Sequence, residues 1–139
     1  MKLVRKLMII AILGTDMVKH FNILNKMQSR FEDLEENALG LTEGDTDNLA
    51  KLLLHTADLS HPVKHFPVYS LWSNKICEEF TRQYEDEYKY NLPASVFMKD
   101  LDRPLNYYRN EVNFLVVVIQ PLWVCVDMWL EPALDERMA

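Results

Sequence analysis

Glycine is scarce in this chain, with three residues in 139, and only six prolines accompany them. Hairpins and meanders need such residues at close intervals, and no stretch keeps up a strand-like alternation. A sheet architecture is therefore excluded in favour of an all-α one. Cysteine is nearly absent too. Cys77 and Cys125 lie far apart inside apolar helical patterns, which reads as two buried thiols in a reducing compartment rather than a disulfide. No basic block occurs and the net charge is −6, which argues against nucleic acid or an anionic membrane surface as partner.

What is present is apolar side chain, 49% of the residues, enough to build the core of one ordinary domain over residues 1–139. The N-terminus, Met1-Lys2-Leu3-Val4-Arg5-Lys6 followed by Leu7 to Leu13, imitates a signal peptide. Its apolar run is short, however, and continues into Thr15-Asp16-Met17 with no convincing cleavage site. It is also far shorter than the ~20 residues that span a bilayer. The expectation is a buried helix in a cytoplasmic protein.

Leu13, Met17, Phe21, Leu24, Met27, Phe31 and Leu34 recur in steps of three and four, which predicts one helix from Leu3 to about Glu36. The part through Leu13 is apolar on every side and is expected to be deeply buried. Asp16 and His20, spaced i, i+4 after it, read as a pair facing a cleft or, more plainly, as a helix-surface pair. Asn37 to Asp45, with Gly40 and Gly44, reads as a loop. A second helix starts near Asp45-Thr46-Asp47 and ends before Pro62. A third, Val68 to about Tyr88, has Pro67 at its start and Leu71, Trp72, Ile76, Phe80 and Tyr84 on one stripe. Asn91 to Pro104 reads as a long loop, either a pocket wall or a plain surface connection. The last helix begins near Leu105 and passes through a fully apolar run, Phe114 to Ile119, expected to be buried. Pro121 should kink it and Pro132 end it.

The stretch Leu52-Leu53-Leu54-His55-Thr56-Ala57-Asp58-Leu59-Ser60-His61-Pro62 is the most suggestive. It places His55 and Asp58 three apart on one helix face. An imidazole and a carboxylate at the end of a buried helix can bind a metal or polarise a water. The plainer alternative is a helix end whose His and Asp are satisfied by neighbouring backbone.

Taken in order, several segments resemble the C-terminal half of the catalytic domain of class I 3′,5′-cyclic-nucleotide phosphodiesterases. Thr15-Asp16-Met17-Val18-Lys19-His20 is similar to that family's A-T-D-M-x-K-H segment. His55-Thr56-Ala57-Asp58-Leu59-Ser60-His61-Pro62 is similar to its H-x-A-D-L-S-N-P segment. Tyr69, Trp72, Ile76 and Glu78-Glu79-Phe80 fit the following helix, and Leu92 to Met98 resembles the loop lining the nucleotide pocket. Glu111-Val112-Asn113-Phe114, with Pro121-Leu122-Trp123, resembles the helix that carries the purine-binding glutamine and the clamping phenylalanine. The resemblance implies an all-helical domain, zinc and magnesium or manganese as cofactors, and a cyclic nucleotide as substrate. A metal-bridged hydroxide would open the cyclic phosphate of cAMP or cGMP to the 5′-monophosphate. It further implies Asp58 as metal ligand, with His55 and Asp16 orienting the catalytic site and Met17 near the metals and phosphate. Phe114 would stack on the base, with His61, Tyr69, Trp72, Met98 and Glu111 forming the substrate site.

The departures are as informative. The family's other metal ligands and its general-acid histidine come from an H-N-x-x-H-A-x-D-type stretch and a later His-Asp pair, and neither pattern occurs here. The chain thus reads as a domain whose N-terminal helices, with most metal ligands, are absent. It would work beside that missing half or as a homo-oligomer, or persist as an inactive interaction module. Glu111 stands at the glutamine position. An amide offers a donor and an acceptor, an ionised carboxylate only acceptors. Adenine's amino group can donate to it while N1 loses its donor, and guanine's O6 would face a carboxylate. His61 and Asn113 replace an asparagine and a glycine of the pattern.

Overall fold

A computed structural model describes residues 1–37 and 40–138, with side chains described through Leu34 and from Gly40 to Glu131. Among these residues there is no strand. Six α-helices follow in order: α1 Lys2–Gly14, α2 His20–Asn37, α3 Glu43–Asp58, α4 Phe66–Lys89, α5 Pro104–Asn113 and α6 Gln120–Met138. The all-α expectation holds. Two compact units divide the chain, one of residues 1–60 with 118–139, the other of residues 61–117.

The first unit packs α2, α3 and α6 around Ile23, Leu24, Met27, Leu52, Leu122, Cys125 and Val126. Trp129 closes one side, donating from Nε1 to the Met27 carbonyl at 3.1 Å and meeting Phe31 edge-on. The single helix expected from Leu3 to Glu36 is instead two, turned by 87°. Gly14 ends α1, and Asp16, in extended conformation, caps the next turn by accepting from the Val18 amide at 3.0 Å. The C-cap of α1, Thr15, is thus followed directly by the N-cap of the next turn. Gly14 is also required sterically, since a Cβ there would stand 2.8 Å from the Lys51 Cβ of α3. α1 packs on α3; Ala11 and Gly14 are buried, and Leu7 and Ile10 are half-buried. The expectation that the rest of α1 is buried fails: Leu3, Val4, Met8, Ile9, Ile12 and Leu13 are exposed. One helix can cover only one stripe of another.

The start of α3 lies earlier than the sequence suggests. Thr42, not Asp45, is its N-cap, in a reciprocal box with Asp45. Asp45 is buried and accepts from Arg30 through both oxygens, at 2.9 and 3.0 Å, and the guanidinium holds its carboxyl down to about 2. Of the loop expected over Asn37 to Asp45, residues 38–39 lie outside the described residues.

In the second unit α4 begins with Pro67 in its first turn. A tight 3₁₀ turn, Val96–Met98, interrupts the long loop. Met98 and Leu101 are buried with Ser73 of α4, and Phe80 meets Phe97 edge-on. Leu71 and Trp72, expected on a core stripe, are exposed. Pro121 disturbs its helix through a π-helical segment, Phe114–Ile119, just before it. Proline has no N–H for the carbonyl four residues earlier and its ring collides with that carbonyl; a wider turn relieves both. The apolar run is not deeply buried either, since Val112, Val116 and Val117 are exposed and Ile119 is buried. The helix also continues past Pro132 to Met138. From Pro104 to Glu131 it is long and apolar enough to cross a bilayer by length and composition alone, a test that core helices of water-soluble domains also pass. Cys77 and Cys125 are free thiols.

Candidate functional site

The polar residues singled out in the sequence fall into two clusters, one in each unit. In the first, α2 opens with His20 and α3 carries His55 in its last turn, both with 0% exposure. Their rings meet directly, His20 Nδ1 to His55 Nε2 at 2.9 Å. Such a bond holds one proton between two nitrogens, so one ring donates and the other accepts. The outer nitrogens, His20 Nε2 and His55 Nδ1, are buried without a hydrogen-bond partner of good geometry. Burial pushes both imidazoles below their ordinary titration range. The neighbouring ring adds to this for His20, and the Asp58 carboxylate and the Thr15 backbone partly oppose it for His55. Phe21 packs its ring edge-on against His20, centroids 4.8 Å apart.

Around this pair, Asp16 is exposed and committed to capping, Met17 is exposed, and Asp58 is exposed at the end of α3. His20 was legible in sequence only as the partner of Asp16 four residues away. Its bond to a residue 35 positions on has no sequence signal. As a donor set for two divalent ions the arrangement does not fit. No group of three His, Cys, Asp or Glu side chains able to hold a metal is gathered among the described residues. His55 Nε2 and His20 Nδ1 are engaged with each other.

In the second unit Glu111 of α5 is the centre. Its Oε2 accepts from the Tyr69 hydroxyl at 2.5 Å and from the Ser73 hydroxyl, both on α4. Tyr69 and Ser73 are four apart and so share one helix face, and Ser73 is 1% exposed. Burial first, and then the Glu111 carboxylate, push the Tyr69 phenol up to about 12, so it stays protonated and donates. His61, in a 3₁₀ turn just before α4, lies nearly parallel to two rings. Tyr69 is tilted by 10° at 6.2 Å and Phe114 by 13° at 5.9 Å. Burial lowers the His61 imidazole and the Glu111 charge opposes this.

Four residues expected at a substrate site, His61, Tyr69, Glu111 and Phe114, are thus brought together. Trp72 is 52% exposed on α4, and Met98 is buried in the Val96–Met98 turn. Ser73 was missed. Its only signal in the sequence is a small hydroxyl one turn after Tyr69 on a stripe of large apolar residues.

Comparison with known proteins gives a consistent answer. The profile of the family described as 3′5′-cyclic nucleotide phosphodiesterase matches residues 1–139. The chain is 32% identical over 123 residues to 3′,5′-cyclic-AMP phosphodiesterase 4C of Mus musculus, covering 86% of this chain and 18% of that protein. It is 33% identical over 118 residues to dual specificity calcium/calmodulin-dependent 3′,5′-cyclic nucleotide phosphodiesterase 1B of Bos taurus, covering 84% and 20%. The chain therefore spans about a fifth of the length of these relatives. Among solved structures, the phosphodiesterase domain of the Salpingoeca rosetta rhodopsin phosphodiesterase superposes with TM-score 0.79 at 30% identity, over 91% of this chain and 38% of that one. The phosphodiesterase domain of the RhoPDE fusion protein from the same organism does so with TM-score 0.81 at 32% identity, over 96% and 42%.

Proposed function

The chain belongs to the 3′,5′-cyclic nucleotide phosphodiesterase family, and from that premise we propose that it contributes the base-binding part of a site hydrolysing cAMP, cGMP or both to the 5′-monophosphate. The observation that carries the proposal is the meeting of Tyr69, Glu111, His61 and Phe114 in one cluster. It offers a polar edge and aromatic faces, which a purine needs. Asp58 stands as one metal ligand, and Asp16, Met17 and His55 lie in the unit that carries it. A carboxylate alone cannot hold two divalent ions, which need several protein ligands each. The remaining donors for zinc and for magnesium or manganese therefore come from residues outside these 139.

A second reading, an interaction module without catalysis, is favoured by one observation: α1 presents Val4, Met8, Ile9 and Ile12 to solvent. The two separate in a hydrolysis assay with Mg²⁺, Mn²⁺ or Zn²⁺. The chain would be tested alone and together with a phosphodiesterase segment carrying the H-N-x-x-H and His-Asp patterns. Turnover only in the combination, abolished by Asp58→Ala, is expected. No turnover in either would leave the interaction module.

A further inference from the structure

The second unit holds a cavity that takes no part in the base-binding cluster. It lies between α4 and the segment running from Leu101 into α5, with a volume of about 790 Å³. Sites for small molecules span about 300–1,000 Å³. None of His61, Tyr69, Ser73, Glu111 and Phe114 lines it. The space exists because α4 sets two small side chains, Cys77 and Thr81, one turn apart against Leu101 and Pro104. Both spend their hydrogens on backbone. The Cys77 thiol donates to the Leu101 carbonyl at 3.5 Å, and the Thr81 hydroxyl donates to the Cys77 carbonyl at 2.9 Å. With Leu101 buried, this side of the cavity is apolar and offers a ligand no donor.

The remaining lining is aromatic and charged. Tyr107 and Tyr108 meet edge-on, centroids 5.2 Å apart, and the Tyr107 hydroxyl interacts with Ser73, which anchors that ring. Glu78 and Asp102 are exposed at the cavity together with Arg82. Arg82 runs along its own helix, its Nε donating to the Glu78 carbonyl at 3.3 Å. The two carboxylates outnumber it, and their field reaches the interior. After burial, the charges of Glu111, Glu78 and Asp102 push the Cys77 thiol up. Apolar walls, aromatic rings and a negative field are together what a small organic cation requires. Its hydrocarbon body leaves water, while its ammonium meets carboxylates and ring faces. A neutral molecule of the same shape gains only the apolar part, and an anion is repelled. We propose that the cavity between α4 and α5 is a second ligand site, separate from the base-binding cluster, and that it takes a small aromatic amine in its protonated form.

Three probes of one shape and different charge test this: phenethylammonium, phenethyl alcohol and phenylacetate. Each would be titrated into the isotope-labelled chain and followed through backbone amide shifts. Phenethylammonium is expected to saturate, moving the signals of Cys77, Thr81 and Tyr107, and to bind about fivefold or more tightly than the alcohol. Phenylacetate is expected to leave those signals in place. Glu78→Gln and Asp102→Asn remove one exposed charge each and leave the apolar walls intact. Each should weaken the cation roughly threefold, the scale of an exposed ion pair, and leave the alcohol unchanged. Thr81→Trp fills the cavity and is expected to abolish binding of both, with circular dichroism confirming the fold. Equal affinity for the three probes, cation binding that is unchanged in the double variant Glu78→Gln/Asp102→Asn, shifts confined to the Glu111 cluster, or no saturable binding would overturn the inference. None of these outcomes bears on hydrolysis, so the phosphodiesterase reading stands or falls separately.

Discussion

The two polar clusters, one fully buried and one half-buried, make an instructive pair. In the first unit, two histidines of 0% exposure bond to each other at 2.9 Å, and their outer nitrogens have no well-aligned partner among the described residues. In the second, a carboxylate receives two hydroxyls on one oxygen, and its other oxygen has no hydrogen bond among the described residues. The first turns its polar groups inward, joining the start of α2 to the end of α3. The second holds a polar group in a fixed orientation with capacity to spare. A buried imidazole pair of this kind ties elements together; a clamped carboxylate beside aromatic rings can recognise a ligand. The same chain therefore holds one polar pair wholly inside its core and another at a half-buried position with acceptor capacity to spare.

The sharpest way to break that contrast is His55→Ala. It removes a fully buried ring and leaves His20 Nδ1 without a partner, a cavity and an orphaned polar group together. A loss of about 3–4 kcal/mol is expected, read as a lower urea midpoint. A loss below about 1 kcal/mol, the level of an ordinary surface substitution, would show that the pair is not an architectural tie.

Acid should act on the same cluster. Histidine in an unfolded chain titrates near about 6.5, and burial holds both native imidazoles lower. The unfolded state thus takes up protons first as pH falls. The stability these rings contribute is complete above about 6.5 and is lost below it, toward the native values. Urea midpoints at pH 7.5 and 5.5 should differ, and the difference should survive His61→Asn, since His61 shifts in the same direction in the other unit. Asp45, held at about 2 by Arg30, does not titrate in that window.

Smaller effects are expected in the second cluster. Tyr69→Phe removes one of two donors to a partly exposed carboxylate and should cost about 1 kcal/mol, with the fold intact. A cost as large as that of His55→Ala would make Glu111 an architectural residue and erase the contrast.

Much of the fold was legible because it depends on local pattern. The scarcity of glycine, the steps of three and four, and Pro67 and Pro62 mark an all-helical chain and most helix positions. The restart after Gly14-Thr15 was written in the sequence as a capping aspartate, Asp16. The stripe Leu13, Met17, Phe21 runs across it with helical spacing and conceals it. Burial of α1 and of the Phe114–Ile119 run was misjudged for a different reason. An apolar surface records that a helix can be covered, not that a covering element is present. Site residues split the same way. Glu111, Tyr69, His61 and Phe114 stand at positions similar to the family's motifs, whereas His20 and Ser73 matter through partners 35 and 38 residues away. No spacing rule reaches that far.

The proposal under test is a base-binding cluster in a chain whose described residues gather no metal site. The most direct test is metal retention: dialysis of the purified chain against Zn²⁺ and Mg²⁺, gel filtration, and elemental analysis, with Asp58→Ala alongside. The account predicts no stoichiometric retention and no difference between the two proteins. Stoichiometric metal in the original chain, lost in Asp58→Ala, would contradict it.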